Sequence, residues 1–219
     1  MTVDAPKRTA QFFDRYAREF DDLYGNRRTW TNRILNSLFR KSMKLRFERT
    51  LRGCDPVEGR TVLDVGCGPG RYSVELAERG AGFVVGLDFA DAMIELARAR
   101  AERAGVGDRC RFERADFASF AAESPFDYVV AMGFMDYAPE PRRVVEKILT
   151  LTRRRALISF PAAGGFLAWQ RRLRYKRRCD LFLYREEEIR PLFEGLSASG
   201  VEVERIARDY FVTARMAEG

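Results

Sequence analysis

Residues 61–70, TVLDVGCGPG, constrain the fold of this chain more than any other stretch. Val62, Leu63 and Val65 form an apolar, β-prone run that predicts a buried strand. Gly66, Gly68 and Gly70 then predict a tight turn, and the amphipathic pattern starting at Arg71 predicts a helix. Strand, glycine-rich turn and helix make the first half of a nucleotide-binding βαβ unit. Glycine suits the turn because the backbone bends sharply there and a ligand approaches without meeting a Cβ. A second predicted strand, 83–87, ends at Asp88, 22 residues after Gly66. A carboxylate at that distance can accept both hydroxyls of a ribose.

The glycine spacing is G-x-G-x-G, which differs from the G-x-G-x-x-G of dinucleotide enzymes. Asp64 lies within the strand end, and Asp116 closes a later predicted strand, 110–113. This set resembles the class I S-adenosylmethionine (SAM) dependent methyltransferases, whose first motif looks like VLDVGCGPG. The resemblance covers residues 61–160 well and the C-terminal part loosely. It implies an α/β fold: a Rossmann-like, seven-stranded, mostly parallel sheet with helices on both faces and an antiparallel last strand. It also implies SAM as cofactor and S-adenosylhomocysteine (SAH) as product. The positions that match the cofactor site are Asp64, Gly66, Cys67, Gly68, Gly70, Asp88, Phe89, Met93, Asp116, Phe117 and Met132. In the family an acid at the place of Asp116 accepts the adenine amine, and the neighbouring backbone N–H, here that of Phe117, meets a ring nitrogen. Met93 presses on the adenine or belongs to the core; both readings stand at this point. Cys67 is read as a small filler inside the turn rather than a nucleophile.

The predicted organisation is an N-terminal helical lid, 1–52, and a SAM-binding core, 53–219, carrying a basic insert at about 162–183. Helices are expected at 8–24 and 30–51. Tyr16 and Tyr24 contact cofactor or acceptor, or serve plain helix packing. Further helices are expected at 71–79, 90–104, 141–151 and 184–196, the last interrupted by Pro191. Strands are expected at 126–132 and 155–160, with a strand pair at 201–206 and 210–214.

The sequence contains no histidine, which excludes histidine-based acid–base catalysis and histidine-ligated metals. Cys54, Cys67, Cys110 and Cys179 are scattered without a C-x-x-C, so neither a disulfide framework nor a metal site is expected. No apolar stretch approaches a membrane span and residues 1–20 do not read as a secretory signal, so a cytoplasmic enzyme is expected. The net charge of +7 is uneven. Residues 27–52 hold nine basic side chains and one acid, and residues 171–178, RRLRYKRR, hold six basic ones. Such segments are solvated helix faces or the rim of a site for an anionic partner.

Methyl transfer is an in-line displacement on an already activated sulfonium, so alignment and exclusion of water are the main demands. The acceptor is expected beyond the fourth strand, where AMGFMDYAP stands in place of the Asn/Asp-Pro-Pro-aromatic motif of enzymes that methylate base or glutamine nitrogens. That substitution favours a small-molecule oxygen, nitrogen or carbon acceptor over nucleic acid, and the basic segments suit an acceptor that is anionic or lipidic. Asp136 is the candidate catalytic or orienting group with Tyr137 beside it; the alternative is a helix-cap aspartate and a packing tyrosine. RNA methylation and a non-catalytic SAM-fold subunit are the competing functions. The segment after the fifth strand loosely resembles the magnesium-protoporphyrin and ubiquinone-pathway methyltransferases, where an insert caps the acceptor site. The insert is read here as such a cap, with a helix lying on an anionic membrane surface as the alternative.

Overall fold

The computed structural model describes residues 33–164 and 181–217 and, in the first helix, side chains from residue 43 onward. The expected helix at 8–24, Tyr16, Tyr24 and the basic run at 171–178 lie outside the described residues. Helix α1 spans Arg33–Gly53. Then follow β1 (Thr61–Val65), α2 (Arg71–Glu78), β2 (Phe83–Asp88), α3 (Asp91–Arg103), β3 (Cys110–Arg114), β4 (Phe126–Ala131), α4 (Pro141–Thr150) and β5 (Thr152–Pro161). The short helix α5 (Glu186–Ile189), β6 (Ala198–Ile206) and β7 (Asp209–Met216) close the order.

The seven strands form one sheet in the order β3-β2-β1-β4-β5-β7-β6. Pairings from β3 through β5 are parallel, and β7 runs antiparallel to both β5 and β6. The strand order reverses between β1 and β4, and in open α/β sheets that reversal opens a crevice at the carboxyl ends of the strands.

Side-chain alternation divides the core in two. Val62, Val84, Tyr128, Val130 and Leu157 face one layer, where they meet Leu51 of α1, Val74 and Ala77 of α2, and Ile94 and Ala97 of α3. Leu63, Val65, Val85, Leu87, Val129 and Ile158 face the other, against Val145, Ile148 and Leu149 of α4 and Ile189 and Phe193 beyond β5. Two glycines permit close packing here, one beneath α3 and one beside a ring of β3. A Cβ on Gly70 would stand 2.9 Å from the Ala97 methyl, and one on Gly86 would stand 2.6 Å from the Phe112 ring.

One expected element differs. The helix predicted at 184–196 is an α-turn, Glu186–Ile189, continued by a 3-10 turn, Arg190–Phe193. Pro191 has no N–H and clashes with the preceding turn, so the α-helical ladder stops before it. β7, covered on both edges by β5 and β6, is longer than expected at both ends, and β6 begins earlier than expected, at Ala198.

Candidate cofactor site

The glycine turn after β1 is closed by backbone and side-chain bonds at once. Gly66, Gly68 and Gly70 have φ of 68°, 52° and 73°, the left-handed region in which a Cβ is strained. The Cys67 N–H donates to Leu87 O at 2.9 Å, tying the turn to the end of β2. From the same strand end, Asp88 Oδ2 accepts the Gly68 N–H at 2.9 Å and Oδ1 accepts the Ala90 N–H at 3.0 Å. The carboxylate therefore orients both the glycine turn and the start of α3. Each carboxylate oxygen has a second lone pair, so the group can take further donors, such as ribose hydroxyls.

The three glycines have separate duties. Phe134 packs directly on Gly66, where a Cβ would stand 2.9 Å from the ring. Gly70 is crossed by α3. At Gly68 no heavy atom of the described residues lies within 4 Å of a Cβ position, so this part of the turn is left open by them.

Asp64 lies one layer below. It is 1% exposed, and its Oδ2 accepts the Ser73 hydroxyl of α2 at 2.6 Å. Burial pushes its carboxyl pKa up to about 7, the Ser73 hydrogen bonds hold it down in part, and Asp88 adds to the rise. Cys67 is buried in the α2-side core and its thiol pKa is pushed well above the ordinary value by burial, so it packs as a small apolar residue. Met93 is 2% exposed and packs with Ala90 and the half-buried Phe89 at the start of α3. Met132 is 8% exposed and joins the core on the α2 side.

Asp116 is exposed just beyond β3, and its Oδ1 accepts the Ala118 N–H at 2.9 Å. The next residue, Phe117, is buried and meets Phe134 edge to face, with ring centroids 5.7 Å apart. Phe134 thereby spans from the β1 turn to the β3 turn as an aromatic wall.

Beyond β4, Asp136 is 5% exposed within a 3-10 turn, Met135–Tyr137, and Tyr137 is half-buried. The Asp136 carbonyl accepts the Phe182 N–H at 2.9 Å. Ala163 N–H donates to Tyr184 O at 2.6 Å and Tyr184 N–H to Pro161 O at 2.9 Å. The chain thus leaves β5 and returns at the same carboxyl edge. Burial pushes the Tyr184 phenol above its ordinary value, so it stays protonated at neutral pH.

Sequence reasoning missed Arg46, which in the sequence is one of nine basic residues in a run. In the structure its guanidinium is carried by α1 to the carboxyl edge. Nη1 and Nη2 stand 3.8 and 4.0 Å from where a Cβ on Gly133 would be, just past the end of β4. Burial works against its charge, but Tyr72, Asp209 and Asp136 outweigh burial, so its pKa is above the ordinary value. Its buried Nε has no hydrogen-bond partner among the described residues. No signal within the run distinguishes this arginine; only its distance along α1 from the glycine turn does. Among the described residues no cluster of acids, cysteines and histidines could hold a metal ion, and no helix is long and apolar enough to cross a membrane.

A family model described as a methyltransferase domain matches residues 56–162. A ubiquinone biosynthesis O-methyltransferase of Neisseria meningitidis serogroup C is 35% identical over 106 residues, covering 48% of this chain and 44% of that protein. Its counterpart from Hahella chejuensis is 41% identical over 88 residues, covering 40% and 36%. The chain thus matches less than half the length of these relatives. Among solved structures, magnesium protoporphyrin IX methyltransferase from Synechocystis PCC 6803 with bound SAM superposes with a TM-score of 0.76. It is 20% identical and 99% of each chain is covered, a likeness of fold. The matched family, the G-x-G-x-G turn and the strand order lead to one assignment: residues 56–162 form a methyltransferase domain of the class I SAM-dependent kind.

Proposed function

We propose that the chain transfers a methyl group from SAM to an oxygen of a small-molecule acceptor that is already anionic at neutral pH. The observation that carries the cofactor half is the Asp88 carboxylate, fixed by two backbone N–H groups beside the open space at Gly68. The residues fit the group. Asp88 would hold the ribose, Asp116 and the Phe117 backbone the adenine edge, and the Phe117–Phe134 pair an apolar flank. Arg46 would meet the carboxylate of the methionine end, which would satisfy its unpartnered buried Nε. Asp64, Gly66, Gly70, Cys67, Met93 and Met132 shape the turn and its support. When bound, the cofactor supplies the activated methyl group. The protein's own contribution is to align the acceptor and keep water out.

The acceptor half rests on the ionisable groups. The chain has no histidine, Tyr184 holds its proton, and the Cys67 thiol is inert. Asp64 titrates near neutrality but is committed to Ser73 on the α2 side of the sheet. A carboxylate or an ionised phenol needs no base from the enzyme. The named relatives act as O-methyltransferases, which favours oxygen as the acceptor atom. Asp136 and Tyr137 are proposed to orient the acceptor from the turn after β4. The segment from 162 to 183 is proposed to cover it.

The cofactor half is tested by calorimetric titration with SAH. Asp88→Ala should weaken binding by about 2–3 kcal/mol, the worth of a charge-assisted hydrogen-bond pair. Unchanged affinity in a variant shown to be folded by its melting curve rejects the ribose assignment. The acceptor half is tested with methyl-labelled SAM against aromatic carboxylates, phenols of graded acidity and aliphatic alcohols. Label should pass to the first two classes, and transfer to the alcohols alone refutes an anionic acceptor.

A further inference from the structure

Arg46 meets Asp209, a residue from the far end of the chain, and topology explains how. Because β7 runs antiparallel, its first residue stands at the carboxyl edge of the parallel strands, and Asp209 pairs with Pro161, the last residue of β5. The turn that delivers it is pinned. Ala207 takes a left-handed φ of 52°, and the Ala162 N–H donates to Arg208 O at 3.0 Å. From that point Asp209 Oδ2 lies 3.6 Å from Arg46 Nη1, with side chains 6% and 14% exposed. Asp136 and Tyr72 face the same guanidinium from two other elements.

We infer that Asp209 is a positioning residue: it holds the Arg46 guanidinium, before any ligand arrives, in the orientation that receives the carboxylate of the cofactor's amino-acid end. The inference rests on the reading of Arg46 given above. An arginine side chain carries about 2 kcal/mol of rotamer entropy, and one that is already fixed loses little on binding. Asp209 can fix it because the ion pair is largely shielded from solvent, where screening by water and salt is weak. Freed from Asp209, the guanidinium would be left to Asp136 and Tyr72, which draw it toward the turn after β4 and toward α2. The β6–β7 hairpin then has a function beyond extending the sheet, since its turn supports a cofactor-facing cation carried by the first helix.

The test compares two ligands that differ only at the end in question. SAH carries the amino-acid carboxylate, and 5′-methylthioadenosine keeps the adenosine and sulfur but lacks it. Calorimetry on the full chain should show Asp209→Ala weakening SAH about tenfold, equivalent to roughly 1.4 kcal/mol, and 5′-methylthioadenosine by less than about twofold. In an Arg46→Gln background the Asp209 substitution should add less than about twofold, because a residue acting through Arg46 has nothing left to act through. Equal losses for both ligands mean a general structural role and overturn the inference. So does full additivity in the double variant, and so does unchanged or tighter SAH binding by Asp209→Ala, which would make Asp209 a competitor for Arg46. A selective SAH loss in Arg46→Gln with none in Asp209→Ala overturns the positioning role alone. Unchanged SAH binding in Arg46→Gln removes the carboxylate reading of Arg46 and the inference with it. If the alanine variant does not fold, Asp209→Asn takes its place, with the same selectivity expected at about threefold.

Discussion

Asp64→Asn separates the electrostatics of the glycine turn from its geometry. The wild-type carboxyl is buried, has Ser73 as its hydrogen-bond donor and holds its proton up to about pH 7. In the unfolded chain the same group ionises near 3.9. A folded-state pKa above the unfolded value gives stability that is fully present below the lower pKa and lost as pH rises through the upper one. Between these values the folded protein binds a proton that the unfolded chain has released, so each pH unit removes up to about 1.4 kcal/mol. From pH 5 to pH 8 the linkage comes to about 2–3 kcal/mol of lost stability in the ligand-free protein. Asparagine does not titrate and keeps an oxygen for the Ser73 hydroxyl. Urea unfolding of both proteins at pH 5 and pH 8 gives the difference, and subtracting the variant cancels groups common to both. The wild type should lose about 2–3 kcal/mol more than the variant across this interval. A difference between the proteins that is the same at both pH values refutes the argument, and shows that Asp64 is ionised in the fold throughout.

The glycines of the turn should divide by assay. Gly70→Ala pushes a methyl into Ala97 and should cost about 1–3 kcal/mol of stability by denaturation, whereas Gly68→Ala has room for its methyl and should combine a backbone strain of about 1 kcal/mol with the larger loss of SAH affinity. Ala207→Gly relieves a left-handed conformation at the β6–β7 turn and should raise stability by about 0.5–1 kcal/mol in urea unfolding, and a lowered midpoint contradicts the strain.

The sheet up to β5 was legible because its signals are local. Apolar runs bounded by glycines and prolines mark β1, β2 and β4, and the predicted boundaries fall within a few residues of the observed ones. The number of strands and the antiparallel last one came with the family resemblance, not with any property of residues 210–214 on their own, and the strand order came from the structure. Of the acids and glycines named from the sequence, Asp88 meets Gly68 at the turn, whereas Asp64 is buried beneath it on Ser73. Arg46 and Asp209 were not legible. Their partnership depends on how far α1 extends over the sheet and on the direction of β7, and neither is written in the spacing around either residue. The 3-10 turn at Arg190–Phe193 was half legible, because proline announces an interruption but not the geometry that replaces the helix.

The bonds from Ala163 to Tyr184 and from Phe182 to Asp136 clamp both ends of one excursion of the chain at the carboxyl edge. A stretch whose ends are already held together can change length at a small entropic cost, about 0.6 kcal/mol for each doubling. The β5 core below the clamp does not register such a change. On the proposal that this segment covers the acceptor, acceptor range can diversify by insertion, deletion or exchange between Ala163 and Phe182, while the glycine turn and its acids stay as they are. On the same proposal, a chimera that grafts a relative's segment between Ala163 and Phe182 should take on that relative's acceptor with SAH affinity unchanged, and an unchanged acceptor range refutes the covering role.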